Sequence, residues 1–159
     1  MYREKLRLER ADASTAEMID ASINFAITAW HMTDWISKEH PIVVDSLLGQ
    51  LNTPSERIRN FQQWIRSQSA ALAAFDVIAN AAKHGGFANS RHDRPEVDTQ
   101  LVAHRTKEMD EDVWRFFAFM RGELSLEVDV NGDRQPMIAA MSHALLYWEH
   151  FLEHHCSSN

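Results

Sequence analysis

Asp76, Asn80, Lys83 and His84 stand at i, i+4, i+7 and i+8 in the run Asp76-Val-Ile-Ala-Asn80-Ala-Ala-Lys83-His84-Gly85-Gly86. On a helix that spacing places a carboxylate, an amide, an ammonium and an imidazole on one face. Leu72, Phe75, Val77, Ile78 and Ala82 fall on the other face. Such groups, gathered at a helix end that opens into a loop, suit acid–base chemistry or the binding of a polar ligand. Asn80 has poor propensity for mid-helix and competes for backbone hydrogen bonds. The plain alternative is a structural network, in which Asp76 and Asn80 bond a neighbouring helix while His84 finishes its own.

A second set lies in Trp30-His31-Met32-Thr33-Asp34-Trp35. His31 and Asp34 form an i, i+3 pair, the arrangement in which a carboxylate orients an imidazole. Asp20, Asn24 and Lys38 share their face, so an ordinary solvated surface accounts for them equally well. Trp35, close to that face, is the odd member, because a large exposed aromatic wants a partner. If the two stripes meet, His31, Asp34, Asp76 and His84 bring two imidazoles and two carboxylates together. That set suits a divalent metal such as zinc, manganese or iron. No Glu-x-x-His, His-Glu-x-x-His or cysteine cluster accompanies it. Apart from that alternative, no cofactor is expected. His143, Tyr147, His150 and His154 mark the outer face of the last helix, where the i, i+4 pair His150/His154 could pick up stray metal. P-loop, dinucleotide-binding and serine-hydrolase glycine motifs do not occur.

The elements that must position these residues are mostly helical. Ser14-x-x-Glu17 is a capping box for a long helix to about Ser37, with Met18, Phe25, Ala29, Met32 and Ile36 as its apolar ridge. His40-Pro41 ends it. Residues 41–53 read as a connection with a short helical turn near Val44–Leu48. Thr53-Pro54-Ser55-Glu56 starts the next helix, with Ile58, Phe61, Trp64 and Ile65 inward. Ser67, Gln68 and Ser69 either break it, with a serine capping a third helix to His84, or kink one continuous helix. Residues 85–96 are loop by composition. Alternation over 97–104 and 124–130 predicts two strands, with Asn131-Gly132 as a tight turn. Residues 110–121 are ambiguous between helix and strand, and strand is preferred. A last helix runs from about Pro136 to His154. The expected fold is therefore mainly α: a bundle of four to five helices with a small antiparallel β insertion at about 97–130, before the last helix.

At 159 residues, 45% hydrophobic, with eight Phe and five Trp, the chain can bury one domain's core. Residues 1–12 and 155–159 are expected to be frayed ends. No run of about 18 apolar residues occurs, and the charged start lacks a signal-peptide core, so no membrane association is expected. The lone Cys156 excludes an intrachain disulfide and fits a cytoplasmic setting. A net charge of −7 argues against a broad nucleic-acid surface. Locally the balance reverses: between Lys83 and Lys107 five basic residues face three acidic ones.

Asn80-x-x-x-His84-Gly85 at a helix end, in a small helical chain with a long final helix, resembles the HEPN superfamily. Those domains are helical bundles, often dimeric. Many are metal-independent ribonucleases of toxin–antitoxin, antiphage and RNA-processing systems. Their hallmark is an arginine, often followed by a polar residue such as Asn, with a histidine four to six residues after the arginine. Asn80 matches the polar residue and His84 the histidine, but Ala79 stands where the arginine belongs. That departure implies an inactive or differently wired relative. The chain also looks like a group of small bacterial proteins without established activity that pair a Trp-His-x-x-Asp-Trp helix with an Asp-x-x-x-Asn-x-x-Lys-His helix.

The resemblance implies an RNA-associated domain of a bacterial or phage defence or toxin–antitoxin system. His84 would be the general acid/base for attack by a ribose 2′-hydroxyl, with Asn80 and Asp76 beside it. Lys83, Arg91 and Arg94 would contact phosphate. A homodimer and a cognate antitoxin or other protein are the expected partners. The alternatives are a metal- or small-ligand-binding bundle using His31, Asp34, Asp76 and His84, and a non-enzymatic interaction module.

Overall fold

The structure, a computed structural model, describes residues 1–10, 15–83, 99–103, 126–130 and 133–156. Among these residues are six α-helices: α1 (Tyr2–Leu8), α2 (Thr15–Glu39), α3 (Pro41–Leu48), α4 (Pro54–Gln68), α5 (Ala70–Lys83) and α6 (Met137–Phe151). Three strands, β1 (Thr99–Ala103), β2 (Leu126–Val130) and β3 (Asp133–Pro136), precede α6, which closes in a π-helical turn, Leu152–Cys156. The chain is mainly α, as its periodicity predicts.

α2 is the axis of the bundle and touches every other described α-helix. It can do so because its apolar arc is broad. Met18, Ala21, Phe25, Ala26, Ala29, Trp30 and Ile36 are buried, and so are the small polar residues Ser22 and Thr33. Those two hydroxyls donate to the carbonyls of Met18 and Trp30, which lets the helix bury them at little cost. Phe25 meets Phe75 of α5 edge to face, with ring centroids 5.3 Å apart. Fully burying an aromatic of this size contributes about 1.5–3 kcal/mol. On the far side Trp148 of α6, 1% exposed, donates its indole N–H to the Ala29 carbonyl at 3.0 Å. Its largest side chain thus docks on α2 without an unmet donor.

Capping follows the sequence closely at α4. Thr53 accepts from the Glu56 amide at 3.1 Å, and the Glu56 carboxylate reaches back to the Asn52 amide at 3.3 Å. Pro54 occupies the first turn, where its missing N–H costs nothing. At the other end Ser69 takes extended backbone angles, stopping α4, and its hydroxyl accepts from the Leu72 amide at 3.3 Å. A break with a new cap, rather than one kinked helix, joins α4 to α5.

Three expectations are corrected. Tyr2–Leu8 is not a frayed end but a helix packed on α2, with Glu4 and Leu8 buried. Its short length hides its amphipathicity from any periodicity reading. Pro41–Leu48 is a full two-turn helix, not a connection with one turn. Pro41 starts it, and Gly49, at φ 84°, ends it. The described sheet also reaches past the expected 97–130, to a strand at Asp133–Pro136. β1 pairs antiparallel with β2 (Leu101 opposite Val128), and β2 pairs antiparallel with β3 (Val130 opposite Asp133). β3 carries no apolar alternation because it is the edge strand, held through its backbone, with Arg134 and Pro136 exposed. Val128, fully buried, fastens the sheet to the core formed with α5 and α6. The expected loop at 85–96, the Asn131-Gly132 turn and the ambiguous stretch 110–121 lie outside the described residues.

Candidate functional site

A junction of α2, α4 and α5 gathers three of the six described site candidates, Asp34, Asp76 and Asn80, and α4 is the member that sequence reasoning left out. Asp76 sits in the middle of α5 and is 1% exposed. One oxygen, Oδ2, lies 2.8 Å from Arg66 Nε of α4. The contact is an ion pair whose N–H is not aligned as a hydrogen bond. The other oxygen, Oδ1, accepts from the Asn80 side-chain amide, which also donates to the Asp76 carbonyl one turn back. Asn80 thereby relieves its poor helix propensity by bonding within its own stripe.

The guanidinium of Arg66 lies over the indole of Trp30, 5.4 Å from the ring centroid. Trp30 is itself 5% exposed, so this cation–π contact is partly desolvated. One turn earlier on α4, Gln62 donates to Asp34 Oδ1 of α2 at 3.0 Å. Gln62 and Arg66 are i, i+4 neighbours. One face of α4 therefore reads both stripes: Gln62 holds Asp34, and Arg66 holds Asp76.

The remaining candidates are more exposed. His31 points to solvent, and no hydrogen bond orients it toward Asp34 among the described residues. Trp35 is 45% exposed and meets His40 edge to face, at 5.3 Å between centroids. Lys83 is exposed at the end of α5. His84, Arg91 and Arg94 lie outside the described residues. No group of three or more His, Cys, Asp or Glu side chains is placed to share a metal ion among the described residues, so His31, Asp34 and Asp76 do not form one. Asp34 and Asp76 instead face nitrogen donors.

The histidine-rich face of α6 is more structured than an ordinary solvated face. Trp64 of α4 and Leu146, Tyr147 and Phe151 of α6 line an open groove of about 720 Å³, together with His143, His150, His154 and His155. Burial in its wall pushes the Tyr147 hydroxyl up to about 12. The His150 and His154 rings stack with centroids 4.4 Å apart. His154 Nδ1 lies 2.8 Å from the His150 carbonyl, which can only accept, so that nitrogen carries the proton.

Gln62 and Arg66 were legible only indirectly. They adjoin the buried Phe61 and Ile65, at the border of the α4 core stripe. No family model, curated protein or solved structure matches this chain. No helix among the described residues is long and apolar enough to cross a membrane.

Proposed function

We propose that this chain is an RNA-associated domain of the HEPN-like kind, acting without a metal ion in a bacterial or phage defence or toxin–antitoxin setting in the cytosol. The observation that carries this reading is the gradient along the α5 stripe. Asp76 is sealed and paired, Asn80 is half-buried and fixed by it, and Lys83 is exposed. In sequence the stripe runs straight on to His84 and the locally basic segment. A rigid polar stripe that ends in a cation and an imidazole can hold a phosphate and move a proton at a neighbouring hydroxyl. In this reading His84 is the proton-transfer group, Asn80 and Asp76 position it, and Lys83, Arg91 and Arg94 bind the backbone. The engagement of Asp34 and Asp76 by nitrogen donors favours this over the metal-binding alternative.

The test is a broad panel of structured and single-stranded RNAs incubated with the protein in the presence of a chelator. Binding or cleavage is expected, and His84→Ala is expected to abolish cleavage. A wild-type protein inert toward every RNA in the panel overturns the reading. One observation favours a second reading, a non-enzymatic interaction module. Trp35 and Ile42, 45% and 82% exposed, leave large apolar side chains uncovered where α2 meets α3. A homodimer or an antitoxin-like protein would be the partner, and loss of association on Trp35→Ala would identify it.

A further inference from the structure

Arg66 carries donors that the fold does not use. A guanidinium has five N–H groups in a rigid fork. Its Nε is buried against Asp76. Among the described residues its two terminal nitrogens have no hydrogen-bond partner, and neither is sealed from solvent. The side chain as a whole is 31% exposed. It is flanked on two sides, by the Asp76 carboxylate at 2.8 Å and by the Trp30 ring at 5.4 Å, which restrict its position. A cation whose position is already restricted loses little rotamer freedom when its open edge takes a ligand.

The geometry points to a receptor for a phosphate oxyanion at that open edge of Arg66, and we infer that the phosphate is one from an RNA backbone. This inference rests on the RNA reading above and adds to it a residue on a different helix. Two terminal N–H groups side by side match two oxygens of a tetrahedral anion, which a point charge such as lysine cannot do. A second cation stands on the helix that carries Asp76. Lys83 follows Asp76 by seven residues on one face of α5, about 10 Å along the helix axis. In sequence Lys83 also opens a window of five basic and three acidic residues in a chain of net charge −7. Repulsion elsewhere and attraction here would confine an anionic strand to this end of the bundle.

The experiment measures binding of inorganic phosphate and of a short single-stranded RNA by titration calorimetry, for wild type, Arg66→Lys and Arg59→Gln. Arg66→Lys keeps a cation beside Asp76, so the fold is expected to survive, and thermal unfolding checks that. Arg59 is exposed on the same helix and serves as a charge control. The expected result is that Arg66→Lys weakens both ligands by at least about tenfold, whereas Arg59→Gln changes them by less than about twofold. RNA binding that Arg66→Lys leaves intact overturns the receptor while sparing the RNA reading. Phosphate binding that depends on Arg66, without any RNA binding, removes RNA as the source and the RNA reading with it. Binding of neither ligand overturns both, as does self-association of the wild type that Arg66→Lys alone disrupts, which would assign the edge to a protein contact.

Discussion

Cutting the Arg66–Asp76 pair from one side is not equivalent to cutting it from the other. Arg66→Ala takes the cation away from a carboxylate that is 1% exposed, whereas removing the charge of Asp76 leaves a guanidinium that already reaches water. Loss of one partner from a fully buried pair costs about 3–5 kcal/mol; with Arg66 31% exposed and Asn80 still bonded to Asp76, Arg66→Ala is expected below that range, at about 2–3 kcal/mol. Asp76→Asn keeps the volume and only removes a charge whose partner can rehydrate, so about 1–2 kcal/mol is expected. Urea unfolding of both variants measures the order, and an equal or inverted order contradicts the account. The need for such a partner was visible in the sequence. Asp76 is the only polar residue between Ala70 and Ala79, and a lone carboxylate in an apolar helical run demands a buried donor. Its identity was not visible, because helical periodicity says which side a residue faces but not which helix lies opposite.

The break at Ser69 is what makes the junction possible. Residues ten apart in one unbroken helix stand about 15 Å apart along its axis, yet Arg66 and Asp76 meet at 2.8 Å. The extended backbone of Ser69 turns the chain between them, and its hydroxyl starts α5. Ser69→Ala deletes that cap and raises local helix propensity, and is expected to cost about 1 kcal/mol. The same variant should weaken the Arg66–Asp76 coupling measured in a double-mutant cycle; unchanged coupling would mean that tertiary packing alone sets the turn. Caps at Thr53 and Ser69 were readable because their chemistry is local. β3 and α1 were not, since an edge strand and a two-turn helix owe their existence to what they pack against.

Two ion-pair sets hold the peripheral helices to the bundle. Glu4 of α1 is approached by Arg3 and Arg7, and Arg7 also reaches Asp20 of α2 at 3.0 Å. Asp45 of α3 binds both Nε and a terminal nitrogen of Arg57 of α4 at 2.9 Å each. Burial works to raise the Glu4 carboxyl, but hydrogen bonds from Arg3 and Arg7 outweigh it and hold the group below its ordinary 4.5. The Arg57 hydrogen bonds likewise hold Asp45 below 3.8. A lowered folded value means that the stabilisation is complete above the ordinary carboxylate range and is lost as pH falls through the folded values. The melting temperature is therefore expected to be flat near pH 6 to 7 and to drop below about pH 4, α1 and α3 loosening first. Amide exchange at pH 3.5 resolves that order, and equal protection of α1 and α2 there would contradict it. The placement of Trp30 has an optical consequence. Its indole lies beneath the Arg66 guanidinium, so any event that draws the cation off the ring alters the emission of Trp30, one of five tryptophans in the chain. Trp30 thereby serves as an optical reporter of the position of the Arg66 guanidinium.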